Sequence, residues 1–179
     1  MRVITGTAGG RKLRSPDGDA IRPTTDLVKQ AMFNILQFDL EGRKVLDLFG
    51  GTGQLGIEAL SRGAREAVFT DSSRSAVTLI RENLTRCGMK ARVLQTDVFR
   101  FLDSGEKFDV IFIDPPYDSG LYDAVLERIN SVDNLTEGGI IVCEARAGTE
   151  LPEMDAPYQK LRERKYGSVK ICLYTRKVQ

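Results

Sequence analysis

The chain lacks histidine altogether, and its three cysteines, Cys87, Cys143 and Cys172, are scattered. Without histidine, the Ser-His-Asp and Cys-His classes of nucleophilic catalysis are excluded, as is the commonest metal ligand. Because no two cysteines form a Cys-x-x-Cys pair, neither a disulfide framework nor a zinc site is indicated, and no metal is expected. Any chemistry must therefore depend on carboxylates, backbone groups and a cofactor.

Long apolar runs are also missing. No stretch reaches membrane-spanning length, and the first residues do not resemble a signal peptide, so we expect a cytoplasmic protein without a membrane segment. The length of 179 residues, with 41% hydrophobic and 28% charged residues, fits one domain with a short appendage. We expect an N-terminal appendage, which consists of an arm and a helix, over residues 1–40. The main domain is expected over residues 41–179.

The net charge of +1 hides an uneven distribution. Residues 1–14 carry Arg2, Arg11, Lys12 and Arg14 and no acid, and residues 160–179 carry seven cations and one acid, so the middle is acidic. Basic ends around an acidic middle suggest that the ends contact a polyanion beside a site of different character. The plainer alternative is that these cations only keep the chain soluble.

From residue 44 onward, strand and helix patterns alternate. Apolar runs predict strands at 44–49, 67–70, 91–95, 108–113 and 139–143, with helices at 55–61, 74–86 and about 120–131. Residues 159–165 and 168–175 predict two more strands that turn at Tyr166-Gly167. Residues 1–21 predict an extended arm, and Thr24 or Thr25 is expected to cap the helix that follows it. Such alternation indicates an α/β, Rossmann-like doubly wound parallel sheet, which binds ligands at the carboxyl ends of its strands.

A glycine-rich loop follows the first predicted strand. Gly51, Gly53 and Gly56 spell G-x-G-x-x-G, and Asp71 lies 20 residues after Gly51 at the end of the next strand. Taken literally, this is the fingerprint of a dinucleotide site, whose loop receives a pyrophosphate. The alternative without a ligand is that the glycines merely pack a tight turn.

The acids around this loop favour a different cofactor. Asp47 would repel a pyrophosphate but attract the α-ammonium and sulfonium of S-adenosylmethionine. Asp71 would then accept hydrogen bonds from the ribose hydroxyls, and Asp97 from the adenine amino group, although Asp97 is also placed to cap a helix over residues 98–102. Other residues are expected to border the same cofactor: Phe49, Gly50, Gly51, Gly53, Ser72, Val98 and Asp114.

The fourth predicted parallel strand ends in Asp114-Pro115-Pro116-Tyr117. The prolines lack N–H groups, so this loop offers acceptors. The Asp114 carboxylate and the Pro115 carbonyl can each accept a hydrogen bond from one N–H group of a base amino group. These two bonds direct the nitrogen lone pair toward a methyl donor. Tyr117 offers a stacking face for an extruded base. The alternative is a rigid turn with an exposed aromatic ring.

The chain resembles the bacterial methyltransferase D family of small-subunit ribosomal RNA over nearly its whole length. The resemblance is carried by these motifs: Met1-Arg2-Val3-Ile4, Gly10-Arg11-Lys12-Leu13, Arg22-Pro23-Thr24-Thr25-Asp26, Met32-Phe33-Asn34-Ile35-Leu36, Val45-Leu46-Asp47-Leu48-Phe49, Leu55–Ala64, Asp114–Tyr117 and Lys165-Tyr166-Gly167. It implies a seven-stranded sheet with an antiparallel last strand, and S-adenosylmethionine as cofactor. It also implies methylation of a guanine N2 in 16S ribosomal RNA, within the small subunit or its assembly intermediate.

The resemblance extends to individual residues. The segment matching Arg22, Thr24 and Thr25 is expected to border the methionine end of the cofactor and the target pocket. The polyanion at the basic ends becomes RNA, which Arg2, Arg11, Lys12 and Arg14 at one end and Lys165 at the other are expected to contact.

Three other functions stay open. The Asp-Pro-Pro-Tyr motif also suits an adenine-N6 methyltransferase acting on DNA or RNA, although 179 residues leave no room for a separate target-recognition domain. A nicotinamide-dependent reductase would use the same glycine loop. A non-catalytic RNA-binding assembly factor would keep the fold without needing the loop at residues 114–117.

Overall fold

The computed structural model of the chain describes residues 1–16, 25–116 and 119–178. In chain order the elements are α1 (Asp26–Ile35), β1 (Lys44–Asp47), α2 (Gln54–Ser61), β2 (Glu66–Asp71), α3 (Arg74–Arg86), β3 (Arg92–Gln95), α4 (Val98–Leu102), β4 (Phe108–Ile113), α5 (Tyr122–Val132), β5 (Leu135–Arg146), β6 (Tyr158–Tyr166) and β7 (Val169–Arg176). The strands form one sheet in the order β3-β2-β1-β4-β5-β7-β6. Strands β1 to β5 pair in parallel, and β7 runs antiparallel to both of its neighbours. The predicted fold class and antiparallel last strand are confirmed.

Two apolar cores lie on opposite faces of the sheet. The first is covered by α1, α2 and α3, and the second by α4 and α5. Along β4, Val110 and Phe112 point into the first core, while Ile111 and Ile113 point into the second. A strand buried on both faces needs a continuous apolar run, which is why this segment could be recognised in the sequence.

Helix ends follow local capping chemistry. Thr25 Oγ1 accepts a hydrogen bond from the Val28 N–H (3.3 Å), so the predicted cap of α1 is correct. Ser73 caps α3 in the same way, accepting from the Ala76 N–H (3.4 Å). Helix α5 ends at Val132, because the following Asp133 has φ 62° and cannot continue a right-handed helix.

The N-terminal residues do not form the extended arm that the sequence predicts. They fold back as a hairpin, with an antiparallel bridge between Arg2 and Lys12 and a bond from the Val3 N–H to the Arg11 carbonyl (2.9 Å). Gly10 has φ 84°, so a glycine taken as a breaker instead supplies turn geometry. Three apolar side chains of this N-terminal hairpin, defined here as residues 1–14, are buried in the first core: Val3, Ala8 and Leu13.

The carboxylate of Glu58, on α2, holds the hairpin in place. It is fully buried and accepts hydrogen bonds from the Ile4 N–H (2.7 Å), the Thr5 N–H (3.1 Å) and the Arg62 Nε (2.8 Å). The Nζ of the equally buried Lys29, on α1, lies 3.8 Å away. Burial lowers the pKa of Lys29, and the charge of Glu58 opposes that effect. One carboxylate thus joins the hairpin, α1 and α2.

Strand β5 begins four residues earlier than the sequence predicts. It pairs with β4 at Phe108 and Leu135, and the register then shifts before Val110 pairs with Ile140. The residues within this irregularity are polar or glycine, so they carry no apolar strand pattern. The predicted turn between the last two strands is correct, with Gly167 at φ 61°.

Gly56 lies where α2 crosses β2. A Cβ atom at this position would stand 2.3 Å from Cε1 and 2.5 Å from Cζ of the Phe69 ring. Both distances are far below van der Waals contact, so the third glycine of the loop motif is required for packing the helix onto the sheet.

We therefore predict that Gly56→Ala destabilises the protein by about 1–3 kcal/mol, the usual cost of overpacking a core. Urea unfolding monitored by circular dichroism measures the change. Gly148→Ala is the matched control, because a Cβ atom on Gly148 would meet no heavy atom within 4 Å and the residue has no positive φ. Equal stability of the two variants would contradict the packing role of Gly56.

Candidate active site

Three carboxylates lie at one end of the sheet, because each stands at the carboxyl end of one of three neighbouring parallel strands. Asp47 is the last residue of β1 and Asp71 the last of β2, and Asp114 directly follows β4. In the register, Asp47 pairs with Phe69 of β2 and with Phe112 of β4. This end is the one at which a doubly wound sheet binds its ligand.

The glycine loop turns tightly at this end of the sheet. The Gly50 N–H donates to the Thr70 carbonyl (2.8 Å), and the Gly53 N–H donates to the Gly50 carbonyl (2.6 Å). Gly51 and Gly53 have φ of 55° and 80°, which L side chains rarely adopt. A Cβ on Gly50 would lie 2.7 Å from Ile80 Cδ1. The backbone therefore requires glycine at positions 51 and 53, whereas a side chain at position 50 would need Ile80 to shift, and Gly53 is the N-cap of helix α2.

Asp71 fastens the loop to the end of β2. Its Oδ2 accepts the Gly51 N–H (3.0 Å), and its Oδ1 accepts the Ser73 N–H (2.8 Å). The side chain is half-buried, and each carboxylate oxygen keeps a further lone pair for a ligand hydroxyl. The predicted spacing of 20 residues thus has a direct structural reason in the bond between Gly51 and Asp71.

Asp47 lies beneath the loop and is only 2% exposed. Its Oδ2 accepts the Gly56 N–H (3.0 Å), at the start of α2. Burial raises the pKa of Asp47 to about 7; the bond from Gly56 opposes this, and the charge of Asp71 adds to it. The site therefore contains an acid that is only partly ionised at neutral pH.

Asp97 is a helix cap. Its Oδ1 accepts the N–H groups of Phe99 (2.9 Å) and Arg100 (3.2 Å), and it precedes α4. This was the alternative that the sequence left open, and it does not prevent the exposed carboxylate from accepting a further bond. The adjacent Val98 is buried in the second core, whereas Ser72 is exposed beside Asp71.

The Asp-Pro-Pro loop leaves the sheet at the same end. Asp114 is half-buried, Pro115 is buried and Pro116 is exposed. The Pro116 carbonyl accepts the Ser119 N–H (2.9 Å). Of the other residues expected at the site, Tyr117, Arg22 and Thr24 lie outside the described residues, while Thr25 is exposed at the start of α1 and Phe49 is half-buried.

Sequence reasoning missed Asn83, a fully buried side chain on α3. Its Nδ2 donates to the Thr52 carbonyl in the glycine loop (2.9 Å) and to the Arg14 carbonyl (3.0 Å), and its Oδ1 accepts the Arg14 N–H (2.7 Å). Asn83 thereby joins the glycine loop to the N-terminal hairpin. The only sequence indication is an amide on the apolar face of α3, between Ile80 and Leu84.

The N-terminal cations are exposed, but three of them already have protein partners. Arg2 Nε lies 3.2 Å from a carboxylate oxygen of Asp26, and Arg14 Nη1 lies 2.7 Å from one of Glu82. Arg11 donates to the Arg86 carbonyl (2.6 Å). At the other end of the chain, Lys165 is exposed on β6, as Lys12 is on the hairpin.

Residues 1–16, 25–116 and 119–178 contain neither a metal-binding cluster nor a membrane span. No group of three or more Cys, Asp or Glu side chains in these ranges is arranged to hold a metal ion. Within the same ranges, no helix is both long and apolar enough to cross a membrane.

Comparison with known proteins adds the evolutionary context. Residues 1–175 match the family described as Conserved hypothetical protein 95. The chain is 34% identical to ribosomal RNA small subunit methyltransferase D of Escherichia coli K12, over 100% of this chain and 91% of that protein. It is 38% identical to YlbH of Bacillus subtilis, over 99% of this chain and 100% of that one. The solved structure of yhhF from Escherichia coli superposes with a TM-score of 0.88 at 33% identity, covering 100% of this chain and 99% of that chain.

The buried Asp47 makes folding stability depend on pH in a defined direction. Its folded pKa of about 7 exceeds the ordinary value of 3.8, so the folded state holds the proton more tightly. Stability is therefore lost as pH rises from about 4 to about 7. We predict that Asp47→Asn, which keeps an acceptor for Gly56, removes this loss. The free energy of unfolding of the variant, relative to that of the wild type, should rise by on the order of 4 kcal/mol between pH 4 and pH 8.

Urea unfolding of both proteins across that pH range measures the difference. Asp123→Asn provides the control, since Asp123 is exposed on α5. A constant difference in unfolding free energy between Asp47→Asn and the wild type would contradict the raised pKa.

Proposed function

The chain belongs to the ribosomal RNA small subunit methyltransferase D family, and from this premise we propose that it methylates the exocyclic N2 amino group of a guanine in 16S ribosomal RNA. We propose S-adenosylmethionine as the methyl donor. The RNA substrate is proposed to lie in the small subunit or its assembly intermediate, in the cytoplasm.

The observation that carries this proposal is the position of Asp114-Pro115 beside the glycine loop. Asp114 follows β4, which pairs directly with β1, and β1 leads into that loop. A methyl acceptor held at the Asp-Pro-Pro loop and a donor held at the glycine loop would therefore meet at one end of the sheet. Positioning of this kind supplies much of the rate enhancement in group transfer.

The acids at this end of the sheet fit S-adenosylmethionine better than a dinucleotide. Asp47 and Asp71 lie beneath and beside the glycine loop, so an incoming pyrophosphate would meet negative charge. A cationic ligand would instead favour the ionised form of Asp47. Asp71 is proposed to accept bonds from the ribose hydroxyls and Asp97 from the adenine amino group. The other residues proposed to border the cofactor are Phe49, Gly50, Gly51, Gly53, Ser72, Val98, Asp114, Arg22, Thr24 and Thr25.

The bound cofactor supplies an electrophilic methyl group on a sulfonium. The protein is proposed to orient the acceptor amine and to accept hydrogen bonds from its two N–H groups. Asp114 is proposed to accept one N–H bond and the Pro115 carbonyl the other, which concentrates the nitrogen lone pair away from the ring. Proline at two positions removes competing N–H donors from the loop. Tyr117 is proposed to stack on the target base.

Binding of the RNA backbone is proposed to involve exposed cations at both chain ends. Lys12 and Lys165 have no ion-pair partner among the described residues, so both are available to phosphate. Arg2, Arg11 and Arg14 are proposed to contribute too, at the cost of exchanging their protein partners for phosphate oxygens.

Asp114→Ala should reduce kcat by roughly 100- to 1,000-fold, the range seen when one preorganised polar group is removed from an active site. Affinity for S-adenosylhomocysteine should change only modestly, within about twofold, because the side chain is proposed to act mainly on the acceptor amine. The assay is transfer of labelled methyl groups to small subunits from a strain that lacks the enzyme. Asp123→Ala is the control, an exposed acid in the first turn of α5. Near-normal turnover of Asp114→Ala would refute the mechanism.

Asp71→Ala should weaken binding of S-adenosylhomocysteine by roughly 1–3 kcal/mol, the cost of a lost charged hydrogen bond. Isothermal titration calorimetry provides the measurement. Glu66→Gln, at the opposite end of the same strand, should bind normally. Unchanged affinity of Asp71→Ala would refute the assignment of the cofactor site.

The identity of the product tests the target base. Nucleosides from methylated 16S ribosomal RNA should contain N2-methylguanosine by mass spectrometry. N6-methyladenosine in its place would establish the adenine-N6 alternative and overturn the proposed substrate.

A further inference from the structure

Three cations of β6 differ from Arg2, Arg11 and Arg14 of the N-terminal hairpin, because their side chains have no protein partner among the described residues. Arg162, Arg164 and Lys165 are all exposed. None of their side chains forms an ion pair or hydrogen bond with another residue of the described ranges, whereas the side chains of nearby Lys160 and Lys170 pair with Glu153 and Glu163. The charged groups of these three side chains are therefore not neutralised by the described part of the protein.

Cross-strand pairing fixes the direction in which two of these side chains point. Arg162 pairs with Leu173, Arg164 with Ile171 and Tyr166 with Val169. Paired residues share a face of the sheet, and these β7 residues belong to or pack against the first core. Arg162, Arg164 and Tyr166 therefore form one strip on the face that carries α1 and the N-terminal hairpin. We refer to these three residues as the β6 strip.

The β6 strip extends to the same end of the sheet as Asp114, where the parallel strands have their carboxyl ends. Ile113 pairs with Cys143, Cys143 with Cys172 and Cys172 with Glu163, so these four residues form one row across the sheet. Arg164 stands one residue beyond that row on β6, as Asp114 does on β4. With three strand spacings of about 4.8 Å between β4 and β6, the two backbones are roughly 14 Å apart.

The position of β6 in the sheet leaves this surface accessible. It is the edge strand and pairs only with β7. Its residues from 161 to 165 are all exposed, and the register shift after Lys160 leaves Leu161 56% exposed. A long edge strand with cations resists pairing with a second sheet, so an extended anionic chain fits this surface better than another strand.

We propose that the β6 strip is a docking surface for the sugar-phosphate backbone of the RNA substrate, next to the target nucleotide. This inference rests on the proposed function and specifies which arginines of the basic C-terminal segment bind the RNA, Arg162 and Arg164. Guanidinium groups match phosphate oxygens in a bidentate geometry, and the half-buried ring of Tyr166 offers a stacking edge at the active-site end. The strip binds the RNA flanking the target and takes no part in cofactor binding.

The test uses the full-length protein with Arg162→Gln and Arg164→Gln combined. Methyl transfer to unmethylated small subunits is measured against subunit concentration at several salt concentrations. We expect KM for the subunit to rise about tenfold, with kcat unchanged. The slope of log(kcat/KM) against log[salt] should become shallower by about 1.4 to 1.8, or 0.7 to 0.9 for each lost phosphate contact.

A matched control removes two charges that lie before the amino ends of β2 and β3, far from the β6 strip. Arg65 and Lys90 are exposed and precede β2 and β3, so Arg65→Gln with Lys90→Gln lowers the net charge equally. This variant should keep the wild-type KM and salt slope. Thermal unfolding and S-adenosylhomocysteine titration of each variant establish that the fold and the cofactor site are intact.

Different results overturn different statements. Wild-type KM and slope in Arg162→Gln/Arg164→Gln would refute the docking surface, and so would an equal effect of the control variant. A higher KM with an unchanged salt slope would mean that the strip contacts protein, which also refutes it. A wild-type protein that binds no S-adenosylhomocysteine or methylates no subunit would refute the proposed function itself.

Discussion

The arrangement of the N-terminal third depends on the buried carboxylate of Glu58. Two hairpin amides, the Arg62 guanidinium and the Lys29 ammonium surround it, and neither Glu58 nor Lys29 is exposed to solvent. Removing the carboxylate would leave the ammonium buried without its counter-charge, which typically destabilises a protein by about 3–5 kcal/mol. The hairpin has too few residues for a core of its own, so its position depends on this charge on α2 together with its buried apolar side chains and the Asn83 contacts.

That constraint extends to the active site because α2 begins at the glycine loop. The loop is held from three sides: Asp71 binds the Gly51 amide, Asp47 binds the Gly56 amide, and Asn83 binds the Thr52 carbonyl. Since Asn83 also binds the backbone of Arg14, the hairpin and the loop share a contact. The packing of the N-terminal residues and the shape of the proposed cofactor site therefore depend on shared contacts.

Most of the fold could be predicted because parallel strands buried on both faces leave apolar runs in the sequence. The start of β5 could not, since residues 136–138 lie within the register shift and carry no apolar pattern. The hairpin was also missed, because Gly6 and Gly10 look like breakers unless the long-range contacts with α2 are known. Local sequence does not encode the partners that turn a glycine-rich segment into a packed one.

The site could be predicted in so far as it depends on strand ends. Asp47, Asp71 and Asp114 meet because β1, β2 and β4 are parallel neighbours, which the alternation of elements already implies. Asn83 was not predictable, because a single amide on a helix gives no indication of which distant backbone it binds. The unpaired cations of β6 could not be recognised either, since the sequence shows charges at both ends but not which of them are neutralised by a neighbour in the fold.

The pKa of Asp47 has a thermodynamic consequence for any cation that binds beside it. Near neutral pH the free protein carries a fraction of a proton on this carboxyl group. A cationic ligand favours the ionised form, so binding expels that fraction into the buffer. The observed heat of binding then includes the ionisation heat of the buffer, and titrations in phosphate and in Tris differ in enthalpy although the ligand makes the same contacts in both.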